Sequence, residues 1–367
     1  MRYLWEHETW PKLTWDQNHV YNLIASVSHE QGRVQGKMET LGFDSRNETQ
    51  LIIRTEDVIR SSEIEGVALD YNEVRSSVAR RLGLEVGGLV QPSERVEGVV
   101  EMMLDATEKY DGILSAERLF AWHSALFRTD SVSSNQINVG CWRDDRNGPM
   151  QVVSGPIGQE VVHFQAVPAN RIQKEMSGFL RWFADPGELN SLLVAGLAHL
   201  WFLTIHPFED GNGRIARAIT DMALARSEKF AHRYYSMSSQ ICAERKDYYH
   251  ILEITQRGSV DVTSWMDWFL CCLQRAVKQS DQILNTVLTK ARFWARFAQE
   301  SLNSRQVRVM NKFLDGFEGK LTSSKWAKMA KCSQDTANRD IHDLIQRGGL
   351  KKDAAGGRST SYSLVAD

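Results

Sequence analysis

Apolar residues recur at helical spacing along most of the chain. Stretches at about 15–38, 50–62, 95–109, 116–127, 172–183, 191–204, 214–226, 246–256 and 262–288 carry them on one stripe, which predicts helices. Strand-like alternation is confined to one place. Met150-Gln151-Val152-Val153 alternates, Ser154 to Gly158 supply turn residues, and Val161-Val162-His163-Phe164 resumes, which predicts one β-hairpin. After Asn303 the segments shorten. Helices are expected over 305–316, from a Ser/Thr cap at Thr322, and over Gln334–Gln346. Gly348-Gly349-Leu350, a turn at Ala355-Gly356-Gly357 and a last strand from Arg358 to Tyr362 follow. Breaks at Gly87-Gly88 and Pro92-Ser93, and again near Asn303, divide the chain into 1–94, 95–290 and 300–367. The expected fold class is mainly α, with a helical body, a single hairpin and a small C-terminal helix-turn-helix with a wing.

Composition narrows this reading. The chain has 367 residues, 42% hydrophobic and 25% charged, which suits a globular protein with a sizeable core and excludes bulk disorder. No run of 18 apolar residues occurs, so no membrane span is expected, and the first residues lack an apolar signal core. Five cysteines stand at 141, 242, 271, 272 and 332 without a CxxC pair, which reads as reduced thiols in a cytoplasmic protein. Formal charge is −2, but from Ser301 onward twelve Lys and Arg face seven Asp and Glu. A mildly basic end on an acidic body points to a separate module.

The chemistry concentrates in His206-Pro207-Phe208-Glu209-Asp210-Gly211-Asn212-Gly213-Arg214-Ile215-Ala216-Arg217. An apolar helix runs into it, and Pro207 cannot continue that helix. Gly211-Asn212-Gly213 then leads into a new helix, whose first N–H groups can cradle phosphate. Arg214 and Arg217 share a face in its first turn, where the helix dipole disfavours cations, so an anion is expected there. Asp210 is a hard oxygen ligand suited to Mg²⁺ between two phosphates. His206 is a titratable base at the preceding helix exit. A zinc reading of His199, His206 and Asp210 fails, because the spacing is not that of HExxH and no third histidine follows. Together these groups describe phosphoryl or nucleotidyl transfer.

The run resembles, without a gap, the HPFx[D/E]GNGRxxR signature of the Fic family. The His123-Ser124-Ala125-Leu126-Phe127 stretch, Gly140-Cys141-Trp142-Arg143, the hairpin and Tyr248-Tyr249 agree with a Fic core over about 95–290. The resemblance implies a protein adenylyltransferase that moves AMP from ATP, with Mg²⁺, to a Tyr, Thr or Ser hydroxyl of a target protein. It implies His206 as general base and Asp210 as the metal ligand. Gly211, Asn212 and Gly213 would form the α-phosphate hole, with Arg214 at the β-phosphate and Arg217 at the γ-phosphate. Phe208 would anchor the loop inward. Tyr248, Tyr249 and Gln256 would border the adenine, and Val153, Ser154 and Gly155 would be the flap that holds the target by strand addition.

Ser61-Ser62-Glu63-Ile64-Glu65-Gly66 fits the family's inhibitory pattern [S/T]xxxE[G/N], within a helix expected at about 50–66. The resemblance implies that Glu65 pairs with Arg217 and keeps the γ-phosphate from seating, or that it positions a water for AMP removal. Homodimerisation is implied by resemblance only. Trp5, Trp10 and Trp15 are not one helical stripe and are expected to cover apolar surface of the body. The C-terminal end resembles a winged helix-turn-helix, with Gln334–Gln346 as recognition helix and DNA as a candidate partner through 334–362. Two further readings stay open: a DNA-binding regulator with a nucleotide-sensing body, and transfer of another group such as UMP.

Overall fold

The structure is a computed structural model. It describes residues 2–39, 43–84, 90–128, 137–146, 148–155, 159, 161–230, 233–297, 302–314, 316, 319–353 and 360–365. The glycines at 87 and 88, the hairpin turn at 156–158 and the wing residues 355–358 lie outside that set.

The chain divides into two compact units, Met1–Thr40 with Arg46–Ser280, and Leu41–Ser45 with Asp281–Asp367. Helices dominate both. The first unit begins with α1 (Gln17–Glu39) and α2 (Phe43–Ile64), whose first residues belong to the second unit, then α3 (Tyr71–Arg81). Next come α4 (Glu94–Glu108), α5 (Ala116–Leu126) and the antiparallel hairpin β1 (Gln151–Ser154) and β2 (Val161–Gln165). The hairpin pairs Gln151 with Gln165 and Ser154 with Val161, and a register shift falls after Val152. The body is completed by α6 (Ala169–Ala184), α7 (Ser191–Ile205), α8 (Asn212–Glu228), α9 (Met237–Ala243), α10 (Arg245–Gln256) and the start of α11 (Thr263–Arg296). The segments 1–94 and 95–290 expected as separate parts thus fall largely within one unit.

Hydrophobicity explains the layout. In α7, every residue from Leu192 to Ile205 is buried, so this helix is apolar all round and must lie inside. It packs on α8, which also meets α4 and α5. Trp5 joins Phe164, Ala166 and Val167 in a small cluster under β2, and Trp10 packs edge-on against Trp201. Trp5 and Trp10 therefore cover apolar surface of the body.

The second unit holds α12 (Ser304–Leu314), β3 (Leu321–Thr322), α13 (Ser323–Ala330), α14 (Gln334–Gln346), β4 (Leu350–Lys352) and β5 (Ser361–Leu364). Its strands form an antiparallel sheet in the order β3-β5-β4. Trp326, Met310, Ile341 and Leu344 fill its core. Thr322 and Ser333 cap α13 and α14 with side-chain oxygens.

Candidate active site

The loop between α7 and α8 is built to hold a fixed shape. Pro207 ends α7, and His206 takes the cap position in the left-handed region at φ 53°. Phe208 is fully buried and stacks on the His123 ring at 4.2 Å, so it anchors the loop inward. Asn212 closes the loop on itself. Its Oδ1 accepts from Phe208 N at 3.0 Å, and its Nδ2 donates to Phe208 O at 2.8 Å. The Asn212 side chain is thereby committed to the loop, and Gly211 N–H donates to Asp210 Oδ1 at 2.5 Å. Gly211 sits at φ 79°, where a side chain is strained, and a Cβ would also press to 3.1 Å from Phe127 Cε2.

Three distant residues brace this loop, and their roles were not legible in the sequence. Arg143 donates from Nε to His206 O at 2.7 Å and from Nη2 to Val167 O, and its own N–H bonds Pro207 O. His123 accepts from Gly140 N at Nδ1, at 3.0 Å, and so donates from Nε2 to Asp210 O at 3.2 Å. Glu209 accepts from the backbone and side-chain nitrogens of Asn138.

His206 has the chemistry of a base. Its Nδ1 donates to Leu203 O at 3.3 Å, which fixes the tautomer and leaves Nε2 as an acceptor. Burial, with the Arg143 guanidinium adding to it, holds its pKa down to about 4, so the ring is neutral at pH 7. His199, by contrast, is consumed by the core. Thr220 spends its hydrogen on Ala216 O, so His199 Nδ1 donates to it at 2.8 Å and Nε2 accepts from Tyr248 OH at 2.9 Å. Among the described residues no group of three or more His, Cys, Asp or Glu could hold a metal by itself.

The start of α8 is uncapped by any side chain of Gly211. Arg214 and Arg217 flank it, both nearly fully buried. Arg214 lies over the Phe127 ring at 5.1 Å, and its nearest carboxylate oxygen, on Asp210, is 3.9 Å away. Arg214 Nε and Arg217 Nη1 are buried without a hydrogen-bond partner among the described residues. Such donors are costly to leave unmade, so the arrangement invites an anion. Burial opposes the charge of Arg217, but the Glu65 carboxylate, Tyr248 and Tyr249 together outweigh it and keep its pKa above the usual value.

The residues of the inhibitory pattern meet Arg217 directly. Ser61 Oγ accepts from Arg217 Nε at 2.9 Å, and Ser61 O accepts from Nη2 at 2.7 Å. Glu65 Oε1 is 2.9 Å from Nη2. Glu65 stands just past the last residue of α2, in a turn that Gly66 completes at φ 76°. Its carboxylate lies against Gly213 so closely that any Cβ there would collide with it.

A cavity of about 730 Å³ opens onto Glu65 and the loop, while Arg214 and Arg217 lie behind its wall. Its walls include Glu65, His206, Asp210 and Gly211 to Gly213, with Val153 and Ser154 of the hairpin and Tyr248, Tyr249 and Gln256 of α10. Tyr249 is half exposed and donates its hydroxyl to Ile64 O at 3.2 Å, whereas Tyr248 is buried and presents only part of its ring. On the hairpin, His163 bridges Ser154 Oγ at 2.6 Å and Glu253 at 2.9 Å. Gly155 follows at φ 101°.

Comparison with known proteins agrees with this geometry. Residues 113–224, which include the whole loop and both arginines, match the model of the Fic/DOC family. The chain carries a Fic/DOC family domain. Residues 3–84, which include Ser61 and Glu65, match a domain of unknown function, DUF4172. A stretch of 110 residues is 30% identical to the protein adenylyltransferase Fic of Nematostella vectensis, covering 29% of this chain and 23% of that protein. The chain thus spans about a quarter of that relative. A Fic family protein from Desulfovibrio desulfuricans G20 superposes with a TM-score of 0.56 at 20% identity, over 96% of this chain and 97% of that one. Fic-1 from C. elegans gives 0.51 at 16% identity, over 73% and 74%. At these identities the structures speak to the Fic fold alone. No described helix is long and apolar enough to cross a membrane, and the five cysteines are free.

Proposed function

We propose that this protein is an autoinhibited protein adenylyltransferase. The observation that carries the reading is one cavity walled by a neutral His206 with a free Nε2 and by an uncapped helix N-terminus, beside two buried arginines with unmade donors. The Fic domain and the adenylyltransferase relative support nucleotidyl transfer as the reaction class.

The residues perform the step as follows. The α-phosphate of ATP rests on the N–H groups at Gly211 to Gly213, that of Gly211 once it leaves Asp210 Oδ1, and Arg214 and Arg217 neutralise the β- and γ-phosphates. An acceptor hydroxyl of the target, held beside the hairpin at Val153, Ser154 and Gly155, attacks the α-phosphorus. Its proton passes to His206 Nε2, the bond to the β-phosphate breaks, and pyrophosphate leaves. Tyr249 and Gln256, with the edge of Tyr248, border the base. Asp210 is exposed, and among the described residues it belongs to no group of three or more His, Cys, Asp or Glu, which fits a Mg²⁺ that arrives on the phosphates and not a metal cage built by the protein. When bound, that ion neutralises charge on the phosphates.

Glu65 is the brake: it uses the Arg217 donor and the space over Gly213 that a triphosphate requires. Because part of its carboxylate faces the cavity, it can also hold a water against a modified target, which would run AMP removal at the same site. The second unit is read as a winged helix, since Asn338, Arg339 and His342 of α14 stand exposed together. A gel shift at physiological salt tests its DNA binding.

Intact-mass spectrometry after incubation with ATP and Mg²⁺ tests the main reading. A gain of one AMP in Glu65→Gly, absent in Glu65→Gly/His206→Ala, is expected. Equal gain in both forms would remove His206 as the base, and no gain on protein or added target would remove the reading.

A further inference from the structure

The contact between α2 and α8 extends beyond the two residues of the inhibitory pattern. Asp57, Ser61 and Glu65 follow one another at intervals of four, as do Gly213, Arg217 and Asp221. The two series run antiparallel. Glu65 lies on Gly213 and Arg217, and Ser61 lies on Arg217. Asp57 reaches Asp221 through Arg233, whose Nη2 is 2.5 Å from Asp221 Oδ1 and 3.9 Å from Asp57 Oδ2. All three of these last residues are buried. Arg233 Nε and Nη1 have no hydrogen-bond partner among the described residues. Its close charge pairing therefore rests on these two aspartates, with the Tyr235 ring 5.3 Å away. Asp57 Oδ1 is also tied to α9 and its cap, accepting from Ser236 Oγ at 2.6 Å and from Ser238 N at 3.3 Å.

We propose that Asp57 is a positioning residue for the brake: with Arg233 and Asp221 it fixes the register of α2 along α8, and so holds Glu65 over Gly213. The proposal rests on the autoinhibitory reading above. The physical reason is that apolar helix faces tolerate small slips, whereas a buried charge set has one favourable partner arrangement. A slip of α2 that relieved Glu65 would also pull Asp57 from Arg233.

The test compares self-modification rates of the full chain with ATP and Mg²⁺. Asp57→Asn keeps the bonds to Ser236 and Ser238 and removes the charge facing Arg233. It is expected to raise the wild-type rate roughly tenfold, because it removes one partner of a buried ion pair whose oxygen stands 3.9 Å from Arg233 Nη2. In the Glu65→Gly background the same change is expected to alter the rate less than about twofold, because the residue it positions is gone. Asp221→Asn, from the facing helix, is the second variant should Asp57→Asn fail to fold, with the same two expectations. A wild-type rate in a folded Asp57→Asn, beside an activated Glu65→Gly, overturns this proposal alone. A further multiplicative rise in the double variant overturns it too, since Asp57 would then act apart from Glu65. A general loosening gives a different signature, a lower rate in the Glu65→Gly background. No activation by Glu65→Gly itself removes the brake and this proposal together.

Discussion

Replacing Glu65 by alanine has a thermodynamic consequence that can be read without a known target. Arg217 is 2% exposed and, among the described residues, makes three bonds outside its own helix, two to Ser61 and one, at 2.9 Å, to Glu65. Alanine avoids the backbone entropy that glycine would add. Deleting a hydrogen bond to a charged group costs about 1.5–3 kcal/mol. Glu65 is 30% exposed, so water recovers part of that and the lower end, about 1.5 kcal/mol, applies. Such a loss lowers the melting temperature by roughly 2 °C at this chain length. Under the proposed function, ATP must displace the carboxylate in the wild type and meets no competitor in the variant. Its affinity is therefore expected to rise about tenfold, the same free energy seen from the other side. Thermal shift with and without ATP and Mg²⁺ measures both halves. The variant melts lower without nucleotide, and the gap narrows or closes at saturating ATP. Equal melting temperatures without ATP, together with equal ATP shifts, would refute the claim that the carboxylate and a phosphate compete for Arg217.

The depressed pKa of His206 predicts that kcat/KM of the Glu65→Gly form stays level from pH 8 to about 5 and falls through about 4; an inflection near 6.5 would show that the base is not this imidazole. His123 and His199 are fully buried, and burial holds their pKa values to about 4 and about 3. The unfolded chain binds these protons first, so stability is constant above about pH 6.5 and is lost as pH falls toward the folded values, by about 2 kcal/mol for each ring at pH 5. A melting temperature that does not change between pH 7 and 5 contradicts that sign. Gly211→Ala, at φ 79° and with Phe127 in the way, is expected to cost about 1–3 kcal/mol of stability and most of the transfer rate, read by melting and by intact mass.

The sequence made contiguous chemistry easy to read and long-range chemistry hard. The pattern of apolar residues located α7, α8, α10 and α14 to within a residue or two, because α10 and α14 bury a continuous stripe and α7 is apolar all round. It missed α3, whose inner face is built from Val74 and Val78 with Ser76, Ser77 and Ala79, so that small and polar residues replace an apolar stripe. Asp70 caps that helix by accepting from Asn72 N and Glu73 N. It missed α9 as well, since seven residues are too few to display a period. It began α2 late, at 50 instead of 43, where the first turns are polar. The loop from His206 to Arg217 was legible because its groups are neighbours in the chain. Arg143, His123 and Asp57 were not, since each acts on a residue tens of positions away. The Ser61–Glu65 pattern identified one side of the α2 and α8 contact and gave no sign that it continues to Asp57.

The two hydrogen bonds that Asn212 makes to Phe208 also bear on how the protein ages. Asparagine followed by glycine is the dipeptide most prone to deamidation, in which the glycine nitrogen attacks the side-chain carbonyl and a succinimide forms. Here both ends of the carboxamide are bound to the loop, and Gly213 N is held in the first turn of a helix, so the ring cannot close while the fold is intact. Unfolding removes that protection. An aspartate at 212 could no longer donate to Phe208 O and would bring a negative charge to the mouth of the anion cradle. A single excursion to the unfolded state can then leave a refolded molecule that is chemically altered at its most important turn, so the durability of the site is set by how seldom the chain opens.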